Sequence, residues 1–195
     1  MTASTRFEIL AICTGNICRS PAMDLLLAHD LAGADGRFAS SSAGTHAMTG
    51  WPVNPPMDRL LETRGVDVDG FAARQADAAL LNGAGLILTA TREHREWVTD
   101  HAPSTVRRAF TLTEFADAVR RADPSTVEPA GLVEWAAAHR PSAGVVSRSR
   151  STRRGYAEGD ILDPYGLGDA AYEAAFAQIA AATEVIAAAL LATRA

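Results

Sequence analysis

Cys13-Thr14-Gly15-Asn16-Ile17-Cys18-Arg19-Ser20-Pro21 places a thiol, five intervening residues, a guanidinium and a hydroxyl in one short run. Those groups suit the binding of a phosphate and its attack by sulfur. Gly15 and Asn16 tolerate the left-handed backbone that turns successive amides inward, and a helix starting after the loop adds its positive end. Arg19 can hold two phosphate oxygens with its planar fork. Such a field favours the thiolate, the nucleophilic form of Cys13. Ser20 can donate a hydrogen bond to that thiolate or to the departing sulfur. An alkyl or aryl oxide leaves poorly as an anion, so the chemistry also needs an acid. Asp163 in Ile161-Leu162-Asp163-Pro164-Tyr165-Gly166 is the candidate. Pro164 stiffens that loop and Tyr165 can wall a pocket for a flat ring. An Asp-Pro dipeptide alone reads as a turn; beside the cysteine loop it reads as the acid.

Both motifs need rigid elements beneath them. Residues 7–12 form an apolar run broken only by Glu8, and Met23, Leu26, Leu27 and Leu31 recur at helical spacing after Arg19. The cysteine loop is therefore a phosphate-binding loop between the first strand and the first helix. Further strands are expected at 38–42, 85–90 and 108–112, with a weak candidate at 66–68. Helices are expected from Pro55 to Gly65, after a Thr91 cap, at 113–122, at 129–140 and at 169–193. The alternation predicts an α/β fold, a mostly parallel central sheet flanked by helices, with functional loops at the carboxyl ends of strands. Residues 1–195 read as a single phosphatase domain, with an insertion or mobile loop at about 123–159. Its Ser-, Gly- and Arg-rich part, 142–159, carries Arg148, Arg150, Arg153 and Arg154 and reads as a solvated loop.

Composition narrows the chemistry. All 18 basic residues are arginine, which excludes Schiff-base enzymes, pyridoxal-phosphate lysines and lysine-dependent nucleotide loops. A net charge of −5 argues against a general nucleic-acid binder. Mean hydropathy near zero describes a globular chain. No apolar run is expected to reach the roughly 20 residues that span a bilayer, and no secretory leader is evident, so the reading is a cytoplasmic protein with no membrane span. Two cysteines are too few for a disulfide framework or a structural zinc site, and no metal or cofactor is expected. His29, His94, His101 and His139 read as surface residues, His46 as the one with a pocket role, and Trp97 and Trp135 as packing residues.

The residues resemble the low-molecular-weight protein tyrosine phosphatase family over most of the chain. The loop 13–21 and Asp163-Pro164-Tyr165 match its two diagnostic motifs in order, and Ser42-Ala43-Gly44-Thr45 and Ala73-Arg74-Gln75 match secondary landmarks. The resemblance implies Cys13 as nucleophile, Arg19 as phosphate clamp, and Asp163 as general acid and then general base. It implies Thr14, Gly15, Asn16, Ile17, Cys18, Ser20 and Tyr165 at the substrate, and Asn16, Ser20 and Ser42 in a network that holds the loop. Cys18 would trap Cys13 in a reversible disulfide under oxidation. Departures bear on the substrate: Gly166 replaces a second aromatic, Met48 aligns with the opposite aromatic wall, with Trp51 or His46 as substitutes, and Phe71 replaces a histidine. Relatives acting on phosphoarginine tend to carry threonine where Ile17 stands, so an aryl phosphate on a phosphotyrosine-containing protein is favoured. The alternatives are phosphoarginine, a small-molecule phosphate, or a phosphate-dependent regulatory protein without turnover. Arsenate reductases of this fold need downstream cysteines that this chain lacks.

Overall fold

The computed structural model describes residues 6–140 and 159–194. The arginines expected in a solvated loop, Arg148, Arg150, Arg153 and Arg154, lie outside the described residues. Strands β1 (Phe7–Cys13), β2 (Phe38–Gly44), β3 (Leu86–Thr89) and β4 (Ala109–Thr111) form one parallel sheet in the order β2-β1-β3-β4. Around it run helices α1 (Arg19–Asp30), α2 (Pro55–Glu62), α3 (Ala78–Gly83), α4 (Arg92–His101), α5 (Leu112–Val119), α6 (Pro129–Ala138) and α7 (Asp169–Leu191). The expected α/β class is the observed one.

The two-residue period of a strand divides the core. Ile9, Ala11 and Cys13 face a layer built from α1, α2, α5, α6 and α7, while Leu10 and Ile12 face Leu81 of α3 and Val98 of α4. Strand order reverses between β1 and β3, because β1 leads to β2 on one side and pairs with β3 on the other. Diverging connections leave a crevice at the carboxyl ends of these two strands, where α/β proteins bind their ligands. Cys13 ends β1 and Thr91 follows β3. Leu27 of α1 is fully buried in the core, and truncating it to alanine would cost about 2–5 kcal/mol.

Three expectations are corrected. Residues 66–68 are not a strand: Gly65 turns left-handed (φ 74°) and the Val66 amide donates to Leu61 O, so Val66 closes α2. Helix α3 was not foreseen, although Asp77 caps it by accepting from the Leu80 amide. The expectation that no apolar segment is long enough to cross a bilayer also fails, since α7 has 23 residues with mean hydropathy 1.8 in its most apolar window. Alanine supplies much of that hydropathy, and Tyr172, Phe176, Ile179, Ile186 and Leu190 are buried within the core beneath α1 and α5. The region 123–140, expected within an insertion, is tied to the body. Arg140 pairs with Glu114, donates to Ala109 O and covers the Phe110 ring, while the Arg194 amide donates to Val127 O.

Candidate active site

The loop after β1 takes its shape from a segment with little side-chain signal. The amides of His46, Met48 and Asn54 donate to the carbonyls of Thr14, Gly15 and Ile17 at 3.0, 2.9 and 2.8 Å. In a trans peptide the C=O of one residue and the N–H of the next point opposite ways. Turning three carbonyls outward therefore turns the Gly15, Asn16 and Cys18 amides into the loop. Asn16 has φ 55°, the left-handed conformation that completes the curve. No side chain caps α1 at Cys18, so its first amides also point to the loop's centre. The product is an anion cradle.

A chain of hydrogen bonds runs through this cradle to the sulfur. The Arg74 amide donates to Asn16 Oδ1 at 2.8 Å, Asn16 Nδ2 donates to Ser20 Oγ at 3.0 Å, and Ser20 Oγ stands 2.9 Å from Cys13 Sγ. The other acceptor within reach of the Ser20 hydroxyl, Ala43 O, is farther at 3.4 Å, so the sulfur is its nearer partner. Ser42, expected in this network, enters by its carbonyl, which accepts from Arg74 Nε at 2.8 Å; its hydroxyl takes no part in the chain to Cys13.

Arg19, at 2% exposure, projects from the first turn of α1. Its Nη1 donates to Ile161 O at 3.1 Å and its Nη2 to Asp163 Oδ2 at 2.6 Å. Ile161 is itself fixed, its amide donating to Ala90 O at the end of β3. The distant Asp-Pro loop is thus laid alongside the crevice, and Asp163 hangs over the cradle, about a third exposed. Tyr165 stands at the mouth with its ring exposed and its amide on Asp163 Oδ1 at 3.3 Å. Cys13, Thr14, Gly15, Ile17, Cys18, Arg19, Asp163 and Tyr165 meet in one cleft of about 190 Å³, and Met48 and His46 form its opposite wall. Trp51 does not line it and is exposed.

The two cysteines differ in setting, and both are free thiols. Tyr172 donates its hydroxyl proton to Asn54 Oδ1 at 2.8 Å, which leaves its oxygen to accept from Cys18 Sγ at 3.7 Å. Burial pushes the Cys18 thiol up to about 12, so it stays protonated.

Sequence reasoning missed His94. Expected on the surface, it is buried at the start of α4, with Nε2 2.9 Å from Thr14 Oγ1 and Nδ1 2.8 Å from Thr91 Oγ1. The bridge joins the loop after β1 to the loop after β3. Burial, and then the nearby Arg19 charge, push the imidazole down to about 3, so it is neutral. Trp97, expected only to pack, lines a hollow beside it that adjoins the cleft.

The likeness to known proteins agrees with this geometry. A probable low molecular weight protein-tyrosine-phosphatase, EpsP, of Ralstonia solanacearum is 34% identical over 106 residues, 54% of this chain and 70% of that protein. Among solved structures, YfkJ from Bacillus subtilis superposes with a TM-score of 0.69 at 21% identity, covering 94% of each chain. The YwlE arginine phosphatase from Geobacillus stearothermophilus superposes with a TM-score of 0.66 at 22% identity, covering 93% of this chain and 91% of that one. The family model for low molecular weight phosphotyrosine protein phosphatases matches residues 8–136, a stretch that contains the cradle and stops short of Asp163. With two thirds of its length under that model and the cradle inside it, the chain belongs to the low molecular weight phosphotyrosine protein phosphatase family.

Proposed function

We propose that the protein hydrolyses phosphotyrosine on proteins in two steps at Cys13, as a single cytoplasmic domain of residues 1–195. One observation carries the reading: a carboxyl 144 residues beyond Arg19 converges with the Cys13 thiol and the Arg19 guanidinium on one amide-lined loop. The phosphoryl group enters the cradle and takes the Arg19 fork, and Cys13 Sγ attacks phosphorus in line. Asp163, released from Arg19 by the phosphoryl group, takes up a proton from solvent and gives it to the leaving oxygen as the bond to phosphorus breaks, leaving a cysteinyl phosphate and a phenol. Asp163, now a carboxylate, takes a proton from water, whose oxygen attacks phosphorus and releases Cys13 as thiolate with inorganic phosphate. Arg19 and the loop amides stabilise the equatorial oxygens in both steps.

The slot between Ile17, Met48 and Tyr165 supports an aryl ester, since a flat ring is covered there by apolar and aromatic side chains. Phosphate release from a phosphotyrosyl peptide, p-nitrophenyl phosphate and a phosphoarginyl peptide tests both reaction and preference. Cys13→Ser should lose at least about 10³-fold in kcat. Asp163→Ala should lose about 10²–10⁴-fold on the peptide, and less on p-nitrophenyl phosphate, whose leaving group needs little protonation. Undiminished turnover by Cys13→Ser would sink the mechanism. Binding without turnover by the wild type would favour a regulatory role.

A further inference from the structure

The cleft has a second compartment. It shares Thr14, Arg19, His46 and Asp163 with the aryl slot and continues past Asp163 to Glu93, His94 and Trp97 at the start of α4. A ligand whose phosphate sits in the cradle therefore has two ways out, one for its ring and one for whatever adjoins it.

The floor of this compartment is His94. Both its ring nitrogens are engaged, by Thr14 and Thr91, and the imidazole is neutral, so the floor brings no charge. The rim is different. Glu93 is exposed and Trp97 half-buried, and four residues apart they share one face of α4. The next residue on that face, His101, stacks on the indole with ring centroids 3.9 Å apart and planes at 20°, holding it in place. Two cations near the rim are engaged: Arg19 is paired with Asp163, and Arg95 turns to Glu114 at 2.6 Å. The positive end of α4 opposes a cation here, yet the Arg92 and His94 amides are taken by Asp160 Oδ1 and Thr91 Oγ1, and Glu93 in the first turn offsets the remainder. A carboxylate beside a fixed indole suits a guanidinium or ammonium, and a phosphate in the cradle adds negative charge at the inner end.

We infer that this compartment receives a basic side chain next to the phosphorylated residue, so that the preferred substrates are protein segments in which arginine or lysine adjoins the phosphotyrosine. The inference rests on the phosphatase reading above. Its test is kcat/KM for three phosphotyrosyl peptides that differ only in carrying Arg, Ala or Glu on both sides of the phosphotyrosine. Wild type should favour the Arg peptide over the Glu peptide by about 5- to 10-fold, through KM. Glu93→Arg should cancel or reverse that ratio, and Trp97→Ala should reduce it. Ratios between peptides cancel any common change in turnover. Equal rates for the three peptides, or a ratio unmoved by Glu93→Arg, would overturn the inference. The same peptides titrated by fluorescence anisotropy against Cys13→Ser read the compartment without turnover. Failure of the wild type to release phosphate from any substrate would instead strike at the phosphatase reading, while the binding order still decides the cation site.

Discussion

Acidification should destabilise the folded protein through His94. In the folded chain the imidazole is held down to about 3 by burial and by Arg19, whereas in the unfolded chain it returns to about 6.5. Between those values the unfolded state binds a proton at this ring and the folded state does not, so lowering the pH favours unfolding. The stability lost between pH 8 and pH 5 is about 2 kcal/mol from this group alone. For a chain of this size that corresponds to a melting temperature lower by about 4–8 °C. Buried Asp24 and partly buried Asp30, whose burial raises their carboxyls, act in the opposite sense, because the folded state takes up their protons first. A subtraction isolates the histidine: urea unfolding at pH 8 and pH 5, for wild type and for His94→Gln, which keeps a polar side chain of similar reach and has no proton to gain. The variant should lose most of the wild type's decline between the two pH values. An equal decline in both proteins would refute the assignment of a neutral, buried His94 and with it the bridge between Thr14 and Thr91.

Arg19→Lys should keep the fold and lower kcat by about 10²–10³-fold, because one ammonium cannot span two phosphoryl oxygens; near-normal p-nitrophenyl phosphate turnover would contradict this. Gly44→Ala should disturb the cradle from behind, since a Cβ there would collide with the Thr14 carbonyl oxygen and crowd Ala47. A melting temperature lower by several degrees, from about 1–3 kcal/mol of overpacking, and a kcat loss larger than that of an equally destabilising distant variant are expected. If Cys18 traps Cys13 as the family resemblance implies, peroxide-treated wild type should recover more activity on adding dithiothreitol than Cys18→Ser, whose Cys13 is left open to irreversible over-oxidation. Asp163→Ala should bind inorganic phosphate about 3- to 10-fold more tightly by calorimetry, since it removes the carboxylate that competes for Arg19. Weaker binding would mean that Asp163 is no competitor.

The parts of the site legible in the sequence were those whose signal is local. Residues 13–21 are contiguous, and the apolar run before them and the helical spacing after them fix a strand-loop-helix without knowledge of the rest. Asp163 is far in sequence, and its dipeptide became informative only beside the cysteine loop. The outward pull on the loop carbonyls could not be read, because His46, Met48 and Asn54 act there through backbone amides, which any residue type supplies. His94 was misread because α4 has the polar pattern of a surface helix; what buries the ring is the approach of Thr14, 80 residues away. Helix α7 misled in the opposite direction. Its many alanines give high hydropathy and little bulk, so length and apolarity alone do not tell a core helix from a membrane-spanning one.

Arg19 and Asp163 hold each other at 2.6 Å, although the proposed chemistry assigns them to different atoms of the substrate. The contact reconciles the two tasks. A guanidinium at 2% exposure is costly to leave unpaired, and Asp163 supplies a partner from a loop whose side chain stays about a third exposed. A phosphoryl group brings two charges and two oxygens that match the fork, so it can replace a single carboxylate oxygen at Nη2. On the proposed reaction Asp163 is then expected to turn away from Arg19. The Ile161 amide is bonded to Ala90 O, which anchors the start of this loop, so a rotation of the carboxyl within the loop suffices. On that reading the carboxyl would become available beside the leaving oxygen when a phosphate occupies the cradle, which would couple substrate binding to placement of the acid.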